Sequence, residues 1–238
     1  MSTIAADHEE VSMELKVIAK IRSDFPTKFG LPRQSGIISG LKSFIVFEKE
    51  YSVPEAFRGL EDYSHIWVVW GFSEAVREEW SPTVRPPRLG GNTRMGVFAT
   101  RSPFRPNPVG LSCVRLVGIS RREGRIFLEI DGADMMDGTP VYDVKPYLPF
   151  TDAHTDASCG FAGALAGDRL RAVIPDRLAA LIPEDRREAL LSILRSDPRP
   201  SYQDQPDRVY GFSFAGMEIR FTVRDGTAEV VGVDKSSE

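Results

Sequence analysis

The stretch Gly110–Ile130, GLSCVRLVGISRREGRIFLEI, decides the fold. Gly110 to Ile119 and Arg125 to Ile130 are apolar and rich in β-branched residues, and Arg121-Arg122-Glu123-Gly124 between them is a turn. Two such strings joined by a short turn predict an antiparallel strand pair. The same reading extends outward. Ser43–Phe47, His65–Phe72, Met95–Ala99 and Val141–Val144 read as strands. Leu15 to Ile21 alternates, with Leu15, Val17, Ala19 and Ile21 facing inward against Lys16 and Lys20. Asp137-Gly138 is a tight turn, and Ser52–Phe57 reads as one helical turn with Ser52 as its N-cap. Residues 14–148 therefore hold about seven short strands, frequent turns and almost no helical period, which argues for an all-β barrel or sandwich.

The character then changes. Residues 151–164 are rich in Asp, Ala, Gly and Thr and read as a linker. Arg169–Ile174 reads as a strand, and Pro175–Ile182 and Glu184–Leu194 as helices, the second with an apolar stripe of Ala189, Leu190, Ile193 and Leu194. Val209–Phe214, Glu218–Val223 and Ala228–Val233 form a meander with turns at Gly216 and Asp225-Gly226. The expectation is a mainly β protein: an antiparallel β-barrel over 14–150 and a small α+β domain over 165–234. A chain of 238 residues suits one large domain or two unequal ones.

Composition excludes several chemistries. The two cysteines, Cys113 and Cys159, make no disulfide framework, and Cys113 in its apolar run reads as a buried thiol of a reducing compartment. Met1–Ser12 is polar and acidic, without the apolar segment of a signal peptide, and no apolar run approaches the ~20 residues that span a bilayer. A cytoplasmic protein is expected. His8, His65 and His154 lie far apart with no ligand spacing, so no metal is expected. There is no nucleophile elbow, no phosphate loop and no Gly-x-Gly-x-x-Gly after a strand, which argues against a Rossmann cofactor site.

The charge pattern is more telling. No Asp or Glu lies between Glu79 and Glu123, where composition alone would place roughly six. The same window holds Arg85, Arg88, Arg94, Arg101, Arg105, Arg115, Arg121 and Arg122, six prolines and the Gly90-Gly91-Asn92 break. The net charge is −4, so this basic field is local. Arginine forks in such a field suit phosphate, although a basic segment is also often a solvated face pinned by acids elsewhere. The prolines of Thr100–Pro108 fix the backbone and pre-position Arg101 and Arg105. Asp134, Asp137 and Asp143 surround a turn they could equally be capping. Lys145 and Tyr147 sit on another proline-braced segment, where a cation beside aromatics suits phosphates and bases. His65 opens an apolar strand, in which a structural role is the commoner one.

Read together and in order, several strings resemble one family. They are Pro32-Arg33-Gln34, Tyr63-Ser64-His65-Ile66-Trp67, Arg85-Pro86-Pro87-Arg88, Met95–Ser102, Arg105-Pro106-Asn107-Pro108, Asp137-Gly138-Thr139-Pro140 and Asp143–Tyr147. They look like the TsaA-like family, whose characterised members are the TrmO-type tRNA adenosine N6-methyltransferases. Asp197-Pro198-Arg199-Pro200-Ser201-Tyr202 resembles the C-terminal domain of the bacterial members. The resemblance implies a non-Rossmann β-barrel that binds S-adenosyl-L-methionine (SAM), and a homodimer with the cofactor near the subunit boundary. It implies cofactor contacts at Pro32, Arg33, Gln34, His65, Ile66, Arg101, Leu111, Asp134, Met135, Met136 and Asp137. The implied substrate is tRNA bearing N6-threonylcarbamoyladenosine beside the anticodon, which gains an N6-methyl group.

Methyl transfer from a sulfonium is an in-line displacement, so alignment is the main demand. The acylated nitrogen is a weak nucleophile with an acidic proton, and a general base is plausible. Asp137 and Asp143 are the catalytic candidates, with Tyr142 weaker; the residues do not choose among them. Arg88, Arg94, Arg105, Lys145, Tyr147 and Arg199 are candidate RNA contacts, with Tyr202 beside the last. The alternatives are a non-catalytic SAM- or RNA-binding module, or a methyltransferase with another substrate.

Overall fold

The sequence builds a closed sheet because its strands alternate in polarity, each burying one face against a shared interior. The computed structural model describes residues 13–75, 79–86, 89, 92–165, 170–199, 205 and 208–236. The first half of the chain carries β1 (Ala19–Arg22), β2 (Lys42–Phe47), β3 (His65–Gly71), the small pair β4 (Thr83–Val84) and β5 (Met95–Gly96), then β6 (Val109–Arg122), β7 (Arg125–Asp131) and β8 (Pro140–Pro146). All but β4 and β5 form one antiparallel sheet in the order β1-β2-β7-β6-β3-β8, and β8 pairs back onto β1, so the barrel is closed. The β6–β7 hairpin turns on Glu123 and Gly124, both with positive φ, the twist a two-residue hairpin needs. Ile21, Ile45, Ile66, Val68, Leu128, Ile130 and Val141 fill the interior without contact with solvent.

The second half adds α1 (Pro149–Asp152), β9 (Arg171–Val173), α2 (Asp176–Ala179), α3 (Glu184–Arg195), β10 (Tyr210–Phe214), β11 (Met217–Arg224) and β12 (Thr227–Lys235). The expected meander is present, and β9 extends it as a parallel strand beside β12. The apolar stripe of α3 is buried as its period predicts. Its core also takes Phe25, Ile38 and Leu41 from the segment between β1 and β2. Phe25 and Phe214 pack with ring centroids 5.3 Å apart, and Arg186 of α3 lies 3.2 Å from the Asp24 carboxylate. One early loop thus belongs to the second core.

Four local expectations are corrected. Leu15 and Val17 are exposed and lie outside β1. The register explains this: pairing with β2 begins at Ala19↔Phe47, and upstream of it Ile18 still donates to the Val141 carbonyl and accepts the Glu48 N–H, whereas Leu15 and Val17 lie beyond these bonds. Ser52 does not cap the turn Pro54–Phe57, which starts from Val53 without a side-chain bond. Its buried hydroxyl lies 3.0 Å from the Glu48 carbonyl and accepts the Ile126 N–H at 3.1 Å, fastening that turn to β7. The strand over Met95–Ala99 stops at Gly96, and Val97–Ala99 is a 3₁₀ turn. Cys113 is half-buried on the outer face, because its inward neighbours Ser112 and Val114 fix the alternation of β6. Among the described residues no helix is long and apolar enough to cross a membrane.

Gly30 joins the two halves. It has φ +80°, and a Cβ there would run into the Phe212 ring. Gly30→Ala combines a left-handed alanine with a clash against a packed ring. It should cost at least about 2 kcal/mol, seen as a melting point lowered by roughly 4–8 °C. A melting point unchanged in calorimetry would refute the contact.

Candidate active site

Strand β3 organises the site through its alternation. Ile66, Val68 and Trp70 point into the barrel, while His65, Trp67 and Val69 point out. The Trp70 indole N–H donates to Ser112 Oγ at 2.9 Å, and the Ser112 hydroxyl donates to Asp134 Oδ1 at 2.6 Å. Burial pushes the Asp134 carboxyl above the ordinary carboxylate range. The hydrogen bonds from Ser112 and from the backbone N–H groups of Asp134 and Ser35, with the nearby Arg101 guanidinium, pull the other way.

The turn after Pro32 is pressed against the same place. Gly36 N–H donates to the Gly132 carbonyl at 2.9 Å, and Gly132, with φ +80°, would bring a Cβ within 3.3 Å of Gly36. Arg101 donates to the Gln34 side-chain oxygen. Arg33 points elsewhere, donating to the carbonyls of Asp197 and Arg199 at 3.2 and 3.1 Å. The Pro32–Gln34 turn, Arg101 and Asp134 therefore converge, and Arg33 links them to the second half of the chain. Sequence reading missed Ser112, Ser35 and Trp70. A lone serine at an inward position of an apolar strand was the available signal.

The other residues named from the sequence do not join this group. His65 lies five residues from Trp70 along β3, about 17 Å at a strand's rise. It contacts Ser64 Oγ through Nδ1 at 2.9 Å and faces the Tyr147 ring. Ile66 and Met135 are sealed in the core, so only their backbones could meet a ligand. The Met136 carbonyl accepts the Thr139 N–H. Asp137 is taken by Arg22 at 3.1 Å and by the Ser23 N–H at 3.2 Å. Asp143 pairs with Lys145 at 2.7 Å, which holds that ammonium above its usual range. The three aspartates around the turn thus face three different ways. Asp143 and Leu111 both lie opposite Val69, on neighbouring strands of the outer face. Leu111 is exposed there.

Among the candidate RNA contacts, Arg94 and Arg105 lie on the exposed loops around β5. Tyr147 packs against Trp67, whose indole N–H donates to Asp152 at 2.9 Å. The Leu148 N–H, and after it the Trp67 bond, hold the Asp152 carboxyl below its ordinary range. Arg199 is folded onto Asp197 at 2.8 Å. Arg88 and Tyr202 lie outside the described residues. A cavity of about 230 Å³ is lined by Arg199 together with Phe29, Gly30, Arg208, Tyr210 and Phe212 among others. Among the described residues, no group of three or more His, Cys, Asp or Glu could hold a metal ion.

A polar cluster at the mouth of a small antiparallel barrel, beside an arginine-rich loop, defines a non-Rossmann ligand-binding protein. Its relatives are specific. Residues 20–153 match the tRNA-methyltransferase O N-terminal domain, and 176–236 the TrmO C-terminal domain. The chain is 37% identical over 231 residues to the tRNA (adenine(37)-N6)-methyltransferase of Escherichia coli, covering 94% of this chain and 98% of that one. It is 48% identical over 172 residues to the enzyme of the same name from Eikenella corrodens, covering 72% and 97%. A crystal structure of TrmO from Pseudomonas aeruginosa superposes with TM-score 0.77 at 31% identity, covering 97% of this chain and all of that one. The chain belongs to the tRNA-methyltransferase O family.

The raised Asp134 gives a pH test. Its carboxyl is easier to protonate in the folded state than in the unfolded one. Its contribution to stability is therefore greatest in acid and is lost as pH rises through the carboxylate range. Asp134→Asn removes that titration. The variant should melt higher than the parent at pH 7, with the difference shrinking toward about pH 4. An advantage that stays constant across this range would contradict the assignment.

Proposed function

We propose that this chain transfers a methyl group from S-adenosylmethionine to N6 of N6-threonylcarbamoyladenosine beside the anticodon of tRNA. The observation that carries the reading is the convergence of Gln34 and Asp134 on Arg101, which stands in the acid-free arginine loops. Membership of the family supplies the reaction class, a SAM-dependent tRNA methylation. A tRNA substrate and an acid-free segment rich in arginine agree with each other.

The residues fit the cofactor. Asp134 is a carboxylate kept partly buried at a cost, with one side satisfied by Ser112. Its remaining acceptor capacity suits ribose hydroxyls or a sulfonium. Bound SAM supplies an electrophilic methyl carbon. The chain's contribution is alignment: Gln34 and Arg101 fix the turn on one side, and the Trp70–Ser112 relay fixes Asp134 on the other. Of the two candidate bases, Asp143 needs only a shift of Lys145 to accept the N6 proton. Asp137 would first have to leave Arg22 and Ser23. On the RNA side, Arg94, Arg105, Lys145 and Tyr147 would meet the anticodon loop, with Arg199 on the C-terminal side. In this reading residues 14–150 are the cofactor-binding barrel and 165–234 a C-terminal domain, and a tRNA substrate implies the cytoplasm.

The spread of implied cofactor residues supports a homodimer. One group gathers near Trp70, while His65 and Ile66 sit at the other end of β3. A second copy laid against the outer face of β8-β3-β6 would bring one subunit's His65 end toward its partner's Asp134 end. Sedimentation equilibrium should give about twice 26.5 kDa at micromolar concentration. A purely monomeric result would overturn the shared site.

The reaction itself is tested by mass spectrometry of tRNA nucleosides from cells lacking the protein. The methylated threonylcarbamoyl nucleoside should disappear while its unmethylated precursor rises by the same amount. An unchanged level would sink this assignment.

A further inference from the structure

Trp80 and Phe98 are large aromatics left in solvent. Their relative exposures are 52% and 70%, and their ring centroids lie 6.1 Å apart at 34°. They are rigidly mounted. The β4–β5 pair holds residues 83–84 against 95–96, and the Val97 N–H donates to the Pro82 carbonyl at 2.9 Å. Val97 itself is buried, anchoring the turn that presents Phe98. The Arg105 guanidinium stands 5.9 Å from the Phe98 ring centre, its Nη1 donating to the Thr100 carbonyl. Arg94 donates to Thr83 Oγ1. Among the described residues, Arg115 pairs with Asp131, but no carboxylate comes within ion-pair distance of Arg85, Arg94 or Arg105. These three cations are not neutralised by acids of their own described fold.

Two exposed flat rings beside uncompensated arginines have the composition of a single-strand nucleic-acid platform. An apolar protein partner would leave the arginines without counter-charge, so the local charge favours a polyanion. We propose that Trp80 and Phe98 form a stacking platform for an unpaired nucleobase of RNA, with Arg94 and Arg105 on the flanking phosphates. This rests on the tRNA reading above and adds the residues that read the loop as single-stranded. The exposed face of Phe98 takes the base, and Trp80 braces the ring from its side.

The test uses the full chain and a synthetic anticodon stem–loop RNA, with binding followed by fluorescence anisotropy over a salt series. Trp80→Ala with Phe98→Ala should weaken RNA binding roughly 5- to 150-fold, the range for one lost base stack. The salt slope should stay unchanged, because the rings release no counterions. Arg94→Ala with Arg105→Ala should instead flatten the slope by about one to two units. Trp80→Phe with Phe98→Tyr keeps flat rings and should restore affinity, which separates stacking from a folding defect. SAM binding by calorimetry should be the same in all four proteins. The platform is overturned if the double alanine variant binds RNA within twofold of the parent. It is also overturned if that variant falls from dimer to monomer while keeping its RNA affinity, which would make the rings a protein interface. A parent that binds SAM but no RNA overturns the tRNA reading and the platform together, before any variant is made.

Discussion

Closure of the barrel through β1 is the constraint on which the rest depends. This four-residue strand pairs with β2 along its whole length and with β8 at Ala19 and Lys20. With both of its edges engaged, the sheet has no freedom to slip, since a one-residue shift would turn every inward side chain outward. The consequence runs directly into the site. Because Trp70 and Ser112 must face inward, the indole and hydroxyl meet, and the hydroxyl meets Asp134 as the chain leaves β7. The carboxylate is therefore placed by strand parity rather than by a flexible loop. Its burial raises its affinity for a proton, while the hydrogen bonds from Ser112 and from the Asp134 and Ser35 N–H groups pull the other way.

The segment between β1 and β2 carries the second constraint. Phe25, Ile38 and Leu41 are buried in the core of the second sheet, while Gln34 and Ser35 touch the site. Arg33 stands between, donating to carbonyls of the Asp197–Arg199 turn. The second unit thus acts on the site through the backbone geometry of this loop. A shift of α3 against Phe25, or a break of the Asp24–Arg186 pair, would act on the same loop that carries Gln34, nine and ten residues further on. Arg33, which the family resemblance implies as a cofactor contact, donates here to the Asp197 and Arg199 carbonyls beside the Gln34 turn.

Much of this was legible in the sequence, for physical reasons. Strands such as Val109–Arg122 and Arg125–Asp131 announce themselves because one face is buried and the turn between them needs glycine. The α3 stripe is equally plain, since a helix packed on one side must repeat its apolar residues. What stayed hidden depends on partners distant in sequence. Nothing in Leu15 or Val17 shows that neighbouring strands end before them. Ser52 looks like a cap because capping is local, yet its hydroxyl serves β7, more than seventy positions away. Asp134, Asp137 and Asp143 look like one cluster because they are close along the chain. Tertiary structure gives each a different partner, in Ser112, Arg22 and Lys145. Nothing in the sequence singles out Trp80 and Phe98, because only their exposure in the structure marks them out.

The two halves of the chemistry are held by opposite means. The proposed cofactor side rests on the buried Trp70–Ser112 pair, which holds a partly buried Asp134, where a lower dielectric strengthens each bond and an unpaired group would be expensive. The RNA side is built from exposed arginines and rings with little internal satisfaction. Its strength depends on a polyanion arriving and on the salt around it. Such a division suits a protein that must hold a small cofactor in one geometry yet accept a large, deformable substrate. It also explains why the arginine loops carry so many prolines. Between the β4–β5 pair and β6 the prolines fix φ angles along the loops, which reduces the entropy lost when RNA binds.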